Sequence, residues 1–193
     1  MLTENELIKF RRELHSYPET GWCEFVTTHK IVEKLRSFGL DPIYGRQVIN
    51  PEFVAGRNPA KVEEAKKAAL DKGVPPEFIE SMQGYTGVAA IFETGRPGPV
   101  LAIRFDMDCV DVDEAHEAGH RPFDEGWAST NPGHMHSCGH DGHTTMGIAV
   151  CNWIQENLDQ FCGTIKVVFQ PAEEGVRGAR PMTETGIFDD VDF

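Results

Sequence analysis

The stretch TIKVVFQPAEE, residues 164–174, sets the architecture that we predict for this chain. Residues 164–169 form a short apolar run, which is the pattern of a strand buried inside a sheet. Pro171 follows the run, and the adjacent carboxylates Glu173 and Glu174 come directly afterwards. The sequence therefore places two glutamates just beyond the C-terminal edge of a buried strand.

Two further apolar runs occupy residues 88–92 and 100–105. Residues 95–99 between them are rich in glycine and proline, which predicts a turn joining two antiparallel strands. The second of these strands delivers Asp106 and Asp108 to its C-terminal end. A carboxylate there can hold a metal-ligating imidazole in the required tautomer, although strand-end carboxylates are as often only solubilising.

Helical spacing of apolar residues predicts helices on either side of these strands. Thr3 and Glu6 form the capping-box pattern that starts the first helix. The predicted helices cover residues 4–15, about 25–38 up to Gly39, 58–72, a short segment near Phe78, and about 143–158. Because helices alternate with strands, we expect an α/β fold, a three-layer sheet with flanking helices, with the site along one sheet edge.

A second group of chemically active residues occurs in CGHDGH, residues 138–143. It would lie at the N-terminus of the last predicted helix, where the helix dipole favours a thiolate. Cys138 and His140, two residues apart, can bind one metal ion or bridge two. Of the two adjacent glutamates, one can ligate a metal while the other transfers protons. The combination predicts a hydrolytic metal site.

Each of these features also has a structural interpretation. Cys138 and His140 could belong to a structural zinc loop, but no second cysteine pair is available to complete four ligands. Paired glutamates are commonly solvated surface residues, and most of the histidines crowding this loop are not expected to be ligands: His134, His136 and His143. A nucleophilic mechanism fits less well, because the chain has no Gly-x-Ser-x-Gly elbow.

Composition excludes several classes of function. The chain has 193 residues with 18 basic and 31 acidic side chains, and its net charge of -13 argues against nucleic-acid and anionic-membrane partners. No apolar run approaches the roughly 20 residues of a membrane-spanning helix. Five irregularly spaced cysteines argue for reduced thiols, and we expect the four outside CGHDGH to be core thiols: Cys23, Cys109, Cys151 and Cys162. We therefore expect a cytoplasmic protein.

Four motifs together resemble the amidohydrolase branch of the co-catalytic metallopeptidases, which includes aminoacylases, hippurate hydrolases and auxin-conjugate hydrolases. They are RRELHSYPE (11–19), DMD (106–108), MHSCGHDGH (135–143) and FQPAEEG (169–175). Within this branch, the A-type subunits of p-aminobenzoyl-glutamate hydrolases are the most similar by three further features: an insertion at about 50–84, TGRPGP (94–99) and GVRGAR (175–180).

The resemblance implies a binuclear site that holds two divalent metal ions, manganese or zinc. Cys138 would bridge the two ions, and His140 and Glu174 would be further ligands. Glu173 would be the general base, and Asp108 would hold the ligating imidazole. The implied reaction is hydrolysis of the amide bond of an N-acyl amino acid. p-Aminobenzoyl-glutamate is the first candidate substrate, and a general, hippurate-like N-acyl amino acid is the alternative.

Family members are longer than this chain, with a lid or dimerisation domain inserted after the first half of the catalytic domain. They also carry two further ligand histidines, whereas no histidine follows His143 here. We therefore expect residues 1–193 to be the N-terminal part of a catalytic domain, without the lid domain and the C-terminal catalytic segment. The partners expected are a small-molecule amide substrate and a related subunit in a homo- or hetero-oligomer. The rival outside the enzyme class is a noncatalytic fragment that binds metal or pairs with another chain.

Overall fold

The four strands of the sheet carry the residues predicted to form the site. The computed structural model describes residues 1–193, and its strands are β1 (Ile43–Tyr44), β2 (Val88–Glu93), β3 (Val100–Asp106) and β4 (Thr164–Gln170). Their order across the sheet is β1-β2-β4-β3, with helices packed against it. This confirms the predicted α/β class with flanking helices.

Strand β4 lies inside the sheet, as its apolar sequence predicts, and every residue after Thr164 is buried. It pairs antiparallel with β2 and parallel with β3. The parallel register places Asp106 of β3 opposite Gln170 of β4. Both strands therefore end at the same edge, and the loops that follow them begin side by side.

Strands β2 and β3 run in opposite directions as predicted, since β2 is antiparallel and β3 parallel to β4. The predicted hairpin pairing is wrong, however, because β4 lies between the two strands. The connecting segment pairs instead with the residues before β4. The Thr94 N–H donates to the Gly163 carbonyl at 3.2 Å, and the Gly163 N–H donates to the Arg96 carbonyl at 2.9 Å. The buried β4 gains hydrogen-bonding neighbours on both sides by this arrangement, which a two-strand hairpin would not provide.

The helices follow the predicted spacing with shifted ends. They are α1 (Glu4–His15), α2 (Phe25–Arg36), α3 (Pro59–Asp71), α4 (Pro76–Ser81), α5 (Arg121–Asp124), α6 (His140–Glu156) and α7 (Ala179–Thr183). The capping box of Thr3 and Glu6 is present. Helix α2 ends at Arg36 rather than at Gly39, and α6 begins at His140 rather than near residue 143. The short β1, α5 and α7 were not predicted.

A glycine allows α6 to pack directly on the sheet. A Cβ atom at Gly147 would lie 2.5 Å from the Phe169 ring and 2.8 Å from the Phe105 ring, closer than side chains tolerate. Because Phe105 belongs to β3 and Phe169 to β4, this contact packs α6 against the C-terminal halves of both strands. No helix in the structure combines the length and apolar character needed to cross a membrane.

The last residues of the chain lie along the free edge of β3. The Ala102 N–H donates to the Phe193 carbonyl at 2.9 Å, and the Phe193 N–H donates to the Val100 carbonyl at 3.3 Å. This is the hydrogen-bond pattern of a parallel pair. The backbone at Phe193 therefore runs in the same direction as β3, toward the sheet edge where Asp106 lies.

Candidate metal centre

Three segments converge at the C-terminal edge of the sheet. The end of β3 supplies Asp106 and Asp108, the turn that enters α6 supplies Cys138 and His140, and the turn after β4 supplies the adjacent glutamates Glu173 and Glu174. Gly139, with a φ angle of +88°, precedes the first residue of α6. This left-handed residue separates the thiol from the imidazole and lets both face the strand ends.

The structure brings together the residues predicted to bind metal. One ligand atom each from Cys138, His140 and Glu174 lies within 4.8 Å of the others. His140 Nε2 lies 3.8 Å from Glu174 Oε1 and 3.9 Å from Glu173 Oε2. A second group, formed by Asp106, His140 and His143, satisfies the same 4.8 Å limit. The two groups share His140.

The donor atoms of this cluster fit a divalent cation. Glu174 Oε1 is buried and has no hydrogen-bond partner. A buried carboxylate oxygen without a donor is unfavourable, and a cation placed there would satisfy it. A thiolate, an imidazole and a carboxylate are also the side chains that bind Zn²⁺, and the last two suit Mn²⁺ as well.

Local electrostatics disfavour a cysteine nucleophile. The adjacent Glu174 carboxylate, together with partial burial and the nearby carboxylates of Glu173 and Asp106, raises the pKa of the Cys138 thiol to about 11. A thiol with this pKa is protonated at neutral pH and is therefore a poor nucleophile. A bound cation would reverse this effect, because thiols that coordinate metal ions are deprotonated. The cluster thus favours Cys138 as a ligand.

His140 is oriented by Asp108. Its Nδ1 lies 2.9 Å from the Asp108 backbone carbonyl, so Nδ1 donates there and Nε2 points into the cluster. Such a contact at one ring nitrogen is typical of imidazoles that bind metal through the other. Burial opposes a charge on this ring, but the Asp108 and Asp106 carboxylates raise the pKa of His140 to about 9.

Asp108 also anchors the turn that carries the glutamates. Its side chain is fully buried, and its two oxygens accept the backbone N–H groups of Glu173 at 3.0 Å and Glu174 at 3.1 Å. From the sequence, Asp108 is expected to hold only the imidazole. In the structure, the same residue supports both: its backbone carbonyl holds the histidine and its carboxylate holds the glutamates, because β3 and β4 end side by side.

Two polar residues near the site have no clear signal in the sequence. Glu24, just before α2, is fully buried and accepts the Ala172 N–H at 2.8 Å. A glutamate within the apolar GWCEFV segment is the only hint of this position. His136 is buried with neither ring nitrogen hydrogen-bonded, and burial lowers its pKa to about 4, so the ring is neutral. His134 lies 3.5 Å from Asp111 and belongs to neither group of ligands.

A second polar cluster, the His15 network, adjoins the site through the first turn of α6. His15 Nδ1 lies 2.9 Å from Asp141 Oδ2, and His15 Nε2 lies 3.0 Å from Glu114 Oε1. Arg11 Nε donates to Asp141 at 3.1 Å, and His120 Nε2 lies 2.8 Å from Glu114. The network consists of these five residues and connects α1, the 111–137 loop and α6.

The remaining cysteines are not all core thiols. All five cysteines are free; Cys109 and Cys151 are buried, and Cys23 is partly buried. Cys162 is exposed, contrary to expectation, because it lies in the turn before β4.

Comparison with known proteins shows which proteins the chain resembles. The sequence model of Peptidase family M20/M25/M40 matches residues 102–193. The chain is 48% identical to a homolog of the A-type subunit of p-aminobenzoyl-glutamate hydrolase from Haemophilus influenzae, over 98% of its own length and 45% of that protein. It is 44% identical to an indole-3-acetyl-aspartic acid hydrolase from Enterobacter agglomerans, over 97% of this chain and 44% of that protein.

Solved structures agree with these relatives. An aminobenzoyl-glutamate utilization protein from Klebsiella pneumoniae superposes with a TM-score of 0.77 at 34% identity, covering 97% of this chain and 42% of that one. A dinuclear metal binding peptidase from the M20 family of Bacillus subtilis gives a TM-score of 0.70 at 29% identity, covering 97% and 40%. The chain spans less than half the length of each of these proteins. Residues 102–193 thus match the model of peptidase family M20/M25/M40, and the relatives and solved structures align with nearly the whole of this chain.

Proposed function

We propose that this chain carries part of the active site of a metal-dependent amidohydrolase that cleaves the amide bond of an N-acyl amino acid. The observation that carries the proposal is the convergence of Cys138, His140 and Glu174 around a buried carboxylate oxygen that has no hydrogen-bond partner. The chain covers about 45% of the H. influenzae relative. We therefore propose that residues 1–193 are the N-terminal part of a catalytic domain, with the insertion at about 50–84.

In this proposal, Cys138, His140 and Glu174 would hold the divalent ions, Mn²⁺ or Zn²⁺. Such ions polarise the substrate carbonyl and make water acidic when they are bound. Glu173, which lies 3.9 Å from His140 Nε2 and is partly exposed, is free to contact substrate. Its carboxylate takes a proton from the attacking water and delivers it to the departing amine nitrogen. Asp108 holds His140 and the Glu173 backbone in place.

The substrate that we propose is p-aminobenzoyl-glutamate, which would give p-aminobenzoate and glutamate. The names of both relatives describe an aromatic acyl group on an acidic amino acid. Arg177 supplies a cation beside the site: its guanidinium donates to the Glu174 carbonyl at 3.0 Å and to the Gly56 carbonyl at 3.2 Å. Arg177 forms no ion pair within the chain, so its charge is available to a substrate carboxylate.

We also propose a partner chain and a cellular location. The H. influenzae relative is named as the homolog of one subunit of an enzyme, which supports a protein that works with a related chain in a homo- or hetero-oligomer. The five unpaired cysteines support a reducing, cytoplasmic location.

The test is release of p-aminobenzoate from p-aminobenzoyl-L-glutamate after loading with Mn²⁺ or Zn²⁺. It is run on the chain alone and within the full-length protein that contains it, with Cys138→Ser as the site variant and Cys162→Ser as the matched cysteine control. We expect release by the parent and by the control, and none by the site variant. Absence of release from any amide substrate by the full-length protein would overturn the proposal. Faster hydrolysis of hippurate would overturn only the substrate, in favour of a general N-acyl-amino-acid hydrolase.

A further inference from the structure

The turn that presents Glu173 and Glu174 starts from an unusual backbone conformation. Ala172 has a φ angle of +49°, in the left-handed region that residues other than glycine rarely adopt. The turn is also tightly packed, because a Cβ atom on Gly21 would lie 2.9 Å from the Ala172 Cα atom. Such a conformation persists only where surrounding contacts hold it.

Glu24 supplies one of these contacts from beneath the turn. Its side chain is fully buried; Oε1 accepts the Ala172 N–H at 2.8 Å, and Oε2 accepts the Thr86 hydroxyl at 2.6 Å. Burial, reinforced by the Asp108 carboxylate, raises the pKa of Glu24. Burying a carboxyl group costs free energy unless hydrogen bonds compensate for the lost water, so the contacts of Glu24 are needed in the folded protein.

The ordinary explanation for a glutamate at this position is helix capping, and the structure does not support it. Glu24 is the residue before α2, yet its side chain makes no capping hydrogen bond. Glu19 performs that task instead, by accepting the Val26 N–H at 3.0 Å and the Thr27 N–H at 2.7 Å. The Glu24 side chain is therefore available to the turn after β4.

Three successive N–H groups of that turn are each held by a buried carboxylate oxygen. Glu24 accepts from Ala172, and the two oxygens of Asp108 accept from Glu173 and Glu174. With its backbone donors directed inward, the turn presents both glutamate side chains toward the cluster. The direction in which Glu173 points thus depends on the backbone orientation set at Ala172.

We propose that Glu24 is a positioning residue for the general base: it fixes the Ala172 peptide and thereby the approach of Glu173 to the substrate. This inference rests on the proposed function. A displacement of about 1 Å at a reacting group costs on the order of 100-fold in rate. Loss of Glu24 should therefore lower kcat while leaving KM and the metal ligands largely unchanged.

The first experiment measures how well backbone amides are protected from hydrogen exchange, and it does not require enzymatic activity. Hydrogen exchange at the Ala172, Glu173 and Glu174 amides is compared in the parent chain, Glu24→Ala and Glu24→Gln, with Glu33→Ala as a control on the exposed face of α2. We expect exchange to rise about tenfold or more in Glu24→Ala. Glu24→Gln should restore protection, because its amide oxygen still accepts from Ala172. Unchanged protection in Glu24→Ala would overturn the proposal.

The second arm measures kcat and KM for amide hydrolysis in the full-length protein. We expect kcat to fall about 10–100-fold in Glu24→Ala, with metal content and KM retained and with recovery in Glu24→Gln. If Glu24→Ala does not fold, Thr86→Val is the second variant, since it removes the hydroxyl that orients Glu24. Raised exchange with an unchanged kcat would overturn the positioning role. Absence of hydrolysis by the parent would instead refute the proposed function, and the exchange arm distinguishes the two failures.

Discussion

Two clusters of imidazoles and carboxylates meet at the first turn of α6, and they are built from the same residue types. The His15 network places one imidazole between Asp141 and Glu114, and both of its ring nitrogens have carboxylate partners. In the metal-site cluster, formed by Cys138, His140, Glu173 and Glu174, a buried glutamate oxygen has no partner. The residue types alone do not distinguish a structural cluster from a metal site, whereas a buried acceptor oxygen without a hydrogen-bond partner does.

The two clusters also differ in what completes them. Each carboxylate of the His15 network has a second side-chain partner within the chain, since Arg11 donates to Asp141 and His120 contacts Glu114. The metal-site cluster raises the pKa of the Cys138 thiol to about 11, so its carboxylates outweigh its cations. The first cluster is therefore expected to govern stability, and the second to govern metal binding and rate.

The largest effect should come from removing the general base. Glu173→Ala in the full-length protein is expected to lower kcat about 10²–10⁴-fold, the range typical of general-base catalysis, while metal content stays at the parental value. Steady-state kinetics and elemental analysis check both parts. Glu184→Ala, on an exposed part of the chain, is the matched control. A rate within a few-fold of the parent would show that Glu173 is not the base.

The second-largest effect should be a loss of stability when the His15 network is disrupted. His15→Ala is expected to lower the free energy of unfolding by about 3–5 kcal/mol, because it leaves two buried carboxylates without their shared partner. Urea denaturation measures the change, and His134→Ala is the control because its single ion-pair partner is exposed. A loss below about 1 kcal/mol would mean that the network contributes little to the fold.

The stability supplied by His15 should depend on pH in a defined direction. Burial opposes its charge, but hydrogen bonds to Asp141 and Glu114 raise the pKa of His15 above its ordinary 6.5. The stabilisation is therefore complete below pH 6.5 and is lost as the pH rises through the higher pKa of the folded state. The stability difference between parent and His15→Ala should shrink over that range in urea titrations at several pH values. A difference that grows toward alkaline pH would contradict this charge assignment.

The smallest effect should be the change in stability of the metal-free protein when a predicted metal-ligating side chain is replaced. Cys138→Ser is expected to change the free energy of unfolding by no more than about 0.5 kcal/mol, because the exposed thiol stabilises little without a metal. Cys151→Ser, in the apolar core, should instead cost about 1–3 kcal/mol by burying a hydroxyl. Equal losses in the two variants would place Cys138 in a structural role.

Sequence patterns predicted the elements that carry the site better than the way these elements pair. The apolar run of β4 and the spacing of α1 and α3 were sufficient, since apolar periodicity and helix caps are local properties of a sequence. The β2–β3 hairpin was wrong because a glycine- and proline-rich turn specifies a reversal of direction and not which strand becomes the neighbour. That choice depends on the long-range burial of β4.

The candidate ligands were predictable because their residue types stand close together in two short motifs. The residues that hold these ligands in place were less predictable. The bonds from Asp108 to the Glu173 and Glu174 amides join residues from two strands, and Glu24 reaches Ala172 from the segment before α2. The His15 network was not predicted either, because His15, Glu114 and Asp141 are far apart in the chain and meet only in the fold.

The most direct test is the metal stoichiometry of the 193-residue chain after loading with Mn²⁺ or Zn²⁺ and desalting. Parent, Cys138→Ser and Glu174→Ala are compared with Cys162→Ser and His15→Ala. We predict that the parent and Cys162→Ser retain metal, that both site variants lose it, and that folded His15→Ala retains it. Equal metal content in the parent and the site variants, or loss of metal only in His15→Ala, would contradict the claim that the metal-site cluster binds the metal.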